Sequence, residues 1–109
     1  MVTGAGGSIG SEICRQVLSR EPKELIALGH GEQSIYLLLE SLNDAGNTIP
    51  VVPVIADVAD EKTMAMIFEK HRPQVIFHAG AHKHVPLMED NPREALRVNA
   101  FGTWNIATL

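Results

Sequence analysis

The hydrophobic residues of the first half of the chain follow a helical period, then a continuous run, then a helical period again. Ile9, Ile13 and Val17 recur at helical spacing, which predicts an amphipathic helix from Ser8 to about Ser19. The apolar run at residues 25–28 is typical of a parallel strand that is covered on both faces. A second stripe predicts another helix that ends at a glycine. The residues of that stripe and the glycine are Ile35, Leu38, Leu39, Leu42 and Gly46.

The second half of the chain continues the alternation. Residues 51–55 predict a third strand, and Pro53 favours an edge position for it because proline cannot donate a ladder hydrogen bond. We expect Asp60 to cap a third helix, which Pro73 stops. Residues 75–77 predict a fourth strand, which continues toward residue 81. 

The last predicted element is a fourth helix that runs to the C-terminus. Asn91 is placed to be its N-cap, Pro92 suits its first turn, and Glu94 completes the spacing of a capping box. The whole pattern predicts an α/β fold: a Rossmann-type, doubly wound parallel sheet with strand order 3-2-1-4. Because two residues precede the first turn and residues 105–109 keep a helical pattern, we expect residues 1–109 to be a truncated single domain.

The composition narrows the class of function. The net charge is −4 without any basic run, so nucleic-acid binding is not expected. No apolar run is long enough to span a membrane. Cys14 is the single cysteine, which excludes an intrachain disulfide and suits the reducing cytoplasm.

The chemistry of the chain is expected to centre on the glycine-rich stretch TGAGGSIG at residues 3–10. Gly4 would allow a tight turn after the first strand, Gly7 would let a pyrophosphate approach the backbone, and Gly10 would let the helix pack closely. The backbone N–H groups of Ser8 and Ile9, at the helix N-terminus, would then face the phosphates. This spacing predicts dinucleotide binding.

The end of the second strand bears on the choice of cofactor. An acidic residue that holds the adenosine ribose is expected there, but Gly29 stands at that position. His30 could bind the ribose or a 2′-phosphate, or lie in solvent. Glu32 could accept from the ribose hydroxyls, or simply be an acid of the helix N-terminus. No arginine is nearby to clasp a 2′-phosphate, so NAD is favoured and NADP stays open as an alternative.

Other candidate residues follow the third and fourth strands. Asp57 would accept from the adenine amino group beside Val58, or would compete with Asp60 as a helix cap. Ala79, Gly80 and Ala81 are small enough to admit the nicotinamide ribose and pyrophosphate, or merely pack tightly.

Asn99 falls on the same predicted helix face as Ala95, Val98, Gly102 and Ile106. A polar residue on a buried face needs partners, so Asn99 would hold backbone groups of the fourth strand or a water near the nicotinamide. A purely structural hydrogen bond is the alternative.

The segment His82-Lys83-His84 stands at the carboxyl edge of the predicted sheet. It lacks a third ligand at a sensible spacing, so no metal site is predicted. Lys83 suits a cofactor or substrate phosphate, with a solvated loop lysine as the alternative.

Three segments together resemble the extended short-chain dehydrogenase/reductase family, and more narrowly its CapD-type polysaccharide-biosynthesis branch. They are residues 2–12, residues 30–32 with Tyr36, and the longer segment FHAGAHKHVPLMEDNP at residues 77–92. The branch includes UDP-N-acetylglucosamine 4,6-dehydratases. It usually has Asp where this chain has Gly29, and commonly alanine where it has Gly80.

The resemblance implies that this chain is the N-terminal, NAD-binding half of a nucleotide-sugar dehydratase, with Lys83 and His84 facing the UDP-sugar substrate. It implies that no catalytic residue lies here, because the family's Tyr or Met and its Lys fall downstream of Leu109. It also implies a homo-oligomer and a cytoplasmic active site, in a protein that could be membrane-anchored. The alternatives are an epimerase or dehydrogenase of the same family, or a non-catalytic dinucleotide-sensing module.

Overall fold

The computed structural model describes residues 1–109. The chain forms one parallel sheet of four strands in the order β3-β2-β1-β4. The elements, in chain order, are β1 (Val2–Thr3), α1 (Ser8–Leu18), β2 (Leu25–Gly29), α2 (Glu32–Asp44), β3 (Val51–Ile55), α3 (Glu61–His71), β4 (Phe77–His78), α4 (Val85–Asp90), α5 (Pro92–Ala95), a π-helical segment (Leu96–Gly102) and α6 (Thr103–Thr108). The predicted Rossmann-type architecture and strand order are confirmed.

The sheet has a hydrophobic cluster on each face, so every residue of β2 is buried. Leu25 and Ala27 pack toward the helices α1 and α2, whereas Ile26 and Leu28 pack toward α3 and the C-terminal helices. Alternate residues of a strand point to opposite faces, which is why a strand covered on both faces reads as a continuous apolar run. No helix of the chain is both long enough and apolar enough to cross a lipid bilayer.

Two local predictions are confirmed by backbone geometry. β3 is the outermost strand, so Pro53 sits at the sheet edge as expected. Asp60 caps α3, because its carboxylate accepts from the backbone N–H of Thr63 at 3.1 Å.

The fourth strand is shorter than predicted. It pairs with β1 only at Phe77 and His78, whereas the sequence predicts a strand that begins at residue 75. The N-terminal ammonium of Met1 donates to the carbonyl of Val75 at 2.7 Å, so the first residue of the chain already lies beside residue 75.

The predicted fourth helix, which opens at Asn91, is in fact three consecutive helical segments, α5, the π-helical segment and α6, and a short helix that was not predicted, α4, precedes it. The capping box does not form: the Asn91 amide donates to the carbonyl of Leu87 at 2.9 Å instead of capping. The carboxylate of Glu94 binds Arg97, one turn further along, and so is unavailable to the helix N-terminus.

Candidate functional site

A cavity of about 300 Å³ lies at the carboxyl ends of the strands, and we call it the cleft. Its wall on one side is the turn between β1 and α1, and the ends of β2, β3 and β4 complete it. This is the place where open parallel α/β sheets bind ligands. The predicted site residues that line it are Gly4, Gly7, His30, Asp57, Val58, Ala79, Gly80 and Ala81.

The glycines of the turn between β1 and α1 each meet a different steric demand. Gly4 has φ +63°, and a Cβ there would lie 2.5 Å from the carbonyl oxygen of Ala79. A Cβ on Gly10 would collide with the carbonyl oxygen of Gly4, so Gly10 packs α1 against the turn itself. A Cβ on Gly7 would meet only Gly4, at 3.3 Å, which leaves open space in front of it. Of these three glycines, only Gly7 therefore has free space beside it into which a ligand could enter.

The first turn of α1 carries unused hydrogen-bond donors. The backbone N–H groups of Ser8, Ile9 and Gly10 make no hydrogen bond within the chain, as expected at a helix N-terminus. Their side chains do not line the cleft, and Ile9 is 71% exposed beside an apolar groove that includes Phe77. What this turn presents is therefore its backbone donors, which suit an anion.

A buried hydroxyl joins β1 to the end of β4. The Thr3 Oγ1 atom accepts from the backbone N–H groups of Ala79 at 3.2 Å and Gly80 at 3.3 Å. Its proton then points to His78 Nδ1, 2.6 Å away, and the opposite His78 nitrogen lies 3.1 Å from the hydroxyl of Thr103. Thr103 donates onward to the carbonyl of Asn99 at 2.7 Å, a chain in which each hydroxyl has one donor role.

His78 is held neutral by this arrangement. Desolvation by burial lowers its pKa, and both of its ring nitrogens already have partners. The sequence did not single out Thr3 or His78. Their only signal was position, since they end two neighbouring strands of the parallel sheet, β1 and β4.

Asp57 follows β3 and faces the cleft. One carboxylate oxygen accepts from the backbone N–H of Ala59 at 2.9 Å, and the other lies 2.8 Å from a guanidinium nitrogen of Arg97. Partial burial raises the pKa of Asp57, but the hydrogen bonds from Ala59 and Arg97 outweigh it and lower the pKa overall. Asp57 does not cap α3, because that position belongs to Asp60.

Arg97 was missed by the sequence reading, although it organises this side of the cleft. Its Nε and Nη2 atoms each lie 2.8 Å from the carboxylate of Glu94, in a bidentate pair. The same carboxylate also contacts His82, with 3.2 Å between Glu94 Oε1 and His82 Nε2. The hydrogen bonds of Arg97, followed by that of His82, lower the pKa of Glu94 to about 2.

Asn99 is exposed, so the prediction that it lies on a buried helix face is wrong. The buried residues of this region are Val98, Gly102, Asn105 and Ile106, so three other members of the predicted face, Val98, Gly102 and Ile106, are buried as predicted. Asn99 also binds a different partner from the one expected. Its amide oxygen accepts from the His82 N–H at 2.8 Å and its amide nitrogen donates to the His82 carbonyl at 2.9 Å.

Lys83 and His84 are both exposed, and neither lines the cleft. His84 precedes α4, where its carbonyl accepts from the backbone N–H of Met88 at 3.0 Å. No group of three or more His, Cys, Asp or Glu side chains is arranged to hold a metal ion.

The end of β2 contributes small residues to the cleft. Gly29 packs against Ile35, because a Cβ there would lie 3.1 Å from the Ile35 Cδ1 atom. His30 and Ser34 line the cleft, whereas Glu32 lies in the first turn of α2 and does not. Ser34 was missed by the sequence reading, and it occupies the space that a Cβ on Gly6 would need.

Comparison with known proteins agrees with this architecture. The family model "Polysaccharide biosynthesis protein" matches residues 1–109. The capsular polysaccharide biosynthesis protein CapD of Staphylococcus aureus is 55% identical over 108 residues, which are 98% of this chain. Among solved structures, Pen from Bacillus thuringiensis is 31% identical with a TM-score of 0.85, covering 96% of this chain and 31% of that one.

A further solved structure carries a described activity. DesIV of Streptomyces venezuelae, a dTDP-glucose 4,6-dehydratase crystallised as a double mutant with NAD bound, is 25% identical with a TM-score of 0.72. The match covers 95% of this chain and 33% of that protein.

The chain spans only 18% of the length of the curated CapD relative. Within that span the match is continuous from the glycine-rich turn to the C-terminal helix, and the family model covers every residue. The chain therefore belongs to the polysaccharide biosynthesis protein family.

Proposed function

We propose that residues 1–109 bind NAD and form the dinucleotide-binding half of a nucleotide-sugar 4,6-dehydratase of polysaccharide biosynthesis. The observation that carries this proposal is the pairing of free backbone donors at Ser8, Ile9 and Gly10 with open space at Gly7. A diphosphate needs both, since its oxygens accept hydrogen bonds and its bulk excludes a Cβ. The family, and the dehydratase among its structural relatives, supply the reaction class.

Each part of the cleft would hold one part of the dinucleotide. The glycine-rich turn would bind the pyrophosphate through the backbone, with Gly4 and Gly10 fixing the turn that presents it. Asp57 and Val58 would contact the adenine, because a carboxylate accepts from its amino group. The small residues Ala79, Gly80 and Ala81 would leave room for the nicotinamide ribose.

The role of Asn99 would then be indirect. It would hold the backbone of His82, which follows these small residues, and would thereby keep the nicotinamide side of the cleft in shape. Lys83 and His84 would face the sugar nucleotide from the exposed loop, where their positive or hydrogen-bonding groups suit a phosphate. His30 would contact the adenosine ribose.

The dinucleotide supplies, when bound, a reversible hydride acceptor, for oxidation at carbon 4 of the sugar and return at carbon 6 after water leaves across carbons 5 and 6. The catalytic Lys of this family, and the Tyr or Met position paired with it, would come from outside residues 1–109. We therefore expect these residues alone to be inactive. Gly29 removes the acid that would hold the ribose, but no arginine replaces it, so NAD is favoured over NADP.

We also propose that the intact protein forms a homo-oligomer. The apolar side chains of Leu96, Phe101 and Trp104 are all more than half exposed along the C-terminal helices. Light scattering of the intact protein tests this, and a strictly monomeric particle would contradict it.

The deciding experiment is incubation of the intact protein with UDP-N-acetylglucosamine and catalytic NAD, followed by mass spectrometry of the product. Loss of one water from the sugar nucleotide is the expected result. An unchanged mass with a new sugar isomer would replace the dehydratase by an epimerase. Tight NAD binding without turnover of any sugar nucleotide would favour a dinucleotide-sensing module.

A further inference from the structure

A chain of charged side chains runs along the outer side of the cleft, from Asp57 through Arg97 and Glu94 to His82. The contacts are 2.8 Å between Asp57 and Arg97, 2.8 Å twice between Arg97 and Glu94, and 3.2 Å between Glu94 and His82. Both ends of the chain, Asp57 and His82, line the cleft. Arg97 itself does not line the cleft, so any effect it has on a ligand passes through Asp57 or His82.

We propose that Arg97 is a positioning residue for adenine recognition, which orients the Asp57 carboxylate toward the cleft through an ion pair that Glu94 holds rigid. The proposal rests on the proposed function, because it concerns the adenine end of the same dinucleotide. In this proposal Arg97 contacts no atom of the ligand, but it determines how well the Asp57 carboxylate is oriented to bind the adenine.

The hydrogen-bond capacity of Asp57 supports this assignment. A carboxylate has about four acceptor directions. The Ala59 N–H occupies one on Oδ1 and the Arg97 guanidinium occupies one on Oδ2, which fixes the plane of the carboxylate from two sides. The side chain is still 34% exposed, so the remaining acceptor directions are open to the cleft.

Arg97 suits this role better than a lysine would. Its Nε and Nη2 atoms are both committed to Glu94, which leaves Nη1 to reach Asp57 in one direction only. A planar guanidinium can bridge two carboxylates in this fixed geometry, whereas an ammonium is a point charge on a flexible stem. Because these side chains are partly exposed, the value of the network lies in orientation more than in stability.

An acceptor-only group discriminates between purines at position 6. Adenine presents an amino donor there, and hypoxanthine presents a carbonyl oxygen that a carboxylate repels. Nicotinamide hypoxanthine dinucleotide differs from NAD only at this edge of the base, where the amino group becomes a carbonyl and the neighbouring N1 gains a proton, so the ratio of the two dissociation constants reports on the contacts of that edge. A site built to bond one donor rejects an analogue that lacks it, because its own polar group is left unpaired.

The experiment is calorimetric titration of the intact protein with each of the two dinucleotides. We expect NAD to bind about tenfold more tightly than the hypoxanthine analogue, and Arg97→Met to reduce that ratio to about twofold or less. Arg97→Lys should give an intermediate ratio. Arg93→Met is the matched control, since Arg93 is an exposed arginine on α5 without an ion pair, and its ratio should equal that of the parent.

A second variant tests directly whether Asp57 is the residue that recognises the base. In Asp57→Asn the amide can donate to the hypoxanthine carbonyl, so the preference should swing toward the analogue. An unchanged ratio in Asp57→Asn would overturn the inference, as would equal weakening of both dinucleotides in Arg97→Met with the ratio intact. Should Arg97→Met fail to fold by circular dichroism, Arg97→Lys carries the same comparison.

The results also separate this inference from the proposed function. Equal affinity of the parent for both dinucleotides would overturn the role of Arg97 while leaving NAD binding in place. Binding of neither dinucleotide would overturn both.

Discussion

The two sides of the cleft present different kinds of atoms to a ligand: backbone atoms on one side and side-chain atoms on the other. On one side lies the glycine turn, residues 3–10, which works through backbone atoms and through the absence of side chains. On the other lies the polar wall, which we define as Asp57, His82, Glu94, Arg97 and Asn99, and which works through side-chain contacts at 2.8–3.2 Å. The glycine turn tolerates almost no added atom, whereas the polar wall is partly exposed and can adapt.

This difference suggests a division of labour. Backbone donors recognise any phosphate, so the glycine turn would supply affinity without regard to the base. Side chains carry specific donor and acceptor patterns, so the polar wall would supply the choice among nucleotides. The variants below test whether the two sides differ in this way, from the largest expected effect to the smallest.

Gly10→Ala should have the largest effect, because the new Cβ would collide with the backbone carbonyl of Gly4, which cannot move without disturbing the turn. We expect the free energy of unfolding to fall by about 3 kcal/mol or more, measured by urea denaturation of the intact protein. A loss below about 0.5 kcal/mol would contradict the tight packing of α1 on the glycine turn.

Thr3→Val should come next, because it removes a fully buried hydroxyl while keeping the shape of the side chain. The backbone N–H of Gly80 and the ring of His78 would lose their partner, at a cost of about 1–3 kcal/mol, whereas the N–H of Ala79 would keep its second acceptor, the Thr3 carbonyl at 3.2 Å. Thr3→Ser, which keeps the hydroxyl, is the matched control and should be the more stable of the two variants in urea. The reverse order would show that the methyl group, not the hydroxyl, holds β1 to β4.

Gly7→Ala should separate binding from stability. Its Cβ meets only the Gly4 carbonyl, at 3.3 Å, and its φ of −78° suits alanine, so the urea midpoint should change little. The methyl group would fill the space proposed for the pyrophosphate, so the dissociation constant for NAD should rise about tenfold by calorimetry, equivalent to about 1.4 kcal/mol. An NAD affinity of Gly7→Ala equal to that of the parent would contradict the proposal that the pyrophosphate binds beside Gly7.

The smallest effect should come from titration of the polar wall. The pKa of Glu94 is about 2 in the folded chain against an ordinary value of 4.5, so its ionised form is favoured by folding. The sign follows directly: this stabilisation is present above pH 4.5 and is lost as the pH falls from 4.5 toward 2. Since Glu94 is exposed to solvent, we expect a shallow slope in urea denaturation across that range.

Glu94→Gln should flatten this slope, because glutamine does not titrate. Glu89→Gln is the control, since Glu89 is an exposed glutamate without a charged partner, and it should leave the slope as in the parent. Identical slopes in the parent and in Glu94→Gln would mean that the Arg97–Glu94 pair does not persist in solution.

The glycine turn was predictable from sequence and the polar wall was not, for a physical reason. Gly4 and Gly10 are required by local sterics, and local sterics leave a local spacing in the sequence. Arg97 joins Asp57 across 40 positions of chain, and neither residue type is unusual in its own helix or loop. A long-range pair of common charged residues leaves no periodic signal.

The C-terminal helical region shows the same limit in another form. Asn91, Pro92 and Glu94 have the spacing of a capping box, yet Glu94 binds Arg97 and the box does not form. The period expected for one α-helix places Val98, Gly102 and Ile106 on the buried face, as observed, but Asn99, which the same period places there, is exposed. The capping box was lost to a local competitor, since Glu94 pairs with Arg97 three residues further on, whereas the strand order followed from the β-α alternation because crossover handedness leaves few arrangements.

The hydrogen-bond chain from Thr3 through His78 to Thr103 has one further consequence. Each member gives its proton in a single direction, and His78 stays neutral, so the junction of β1 and β4 carries no net charge. Added salt would weaken the polar wall by screening its ion pairs and leave this junction untouched. An anion resting on the glycine turn would therefore meet no charged side chain at this junction.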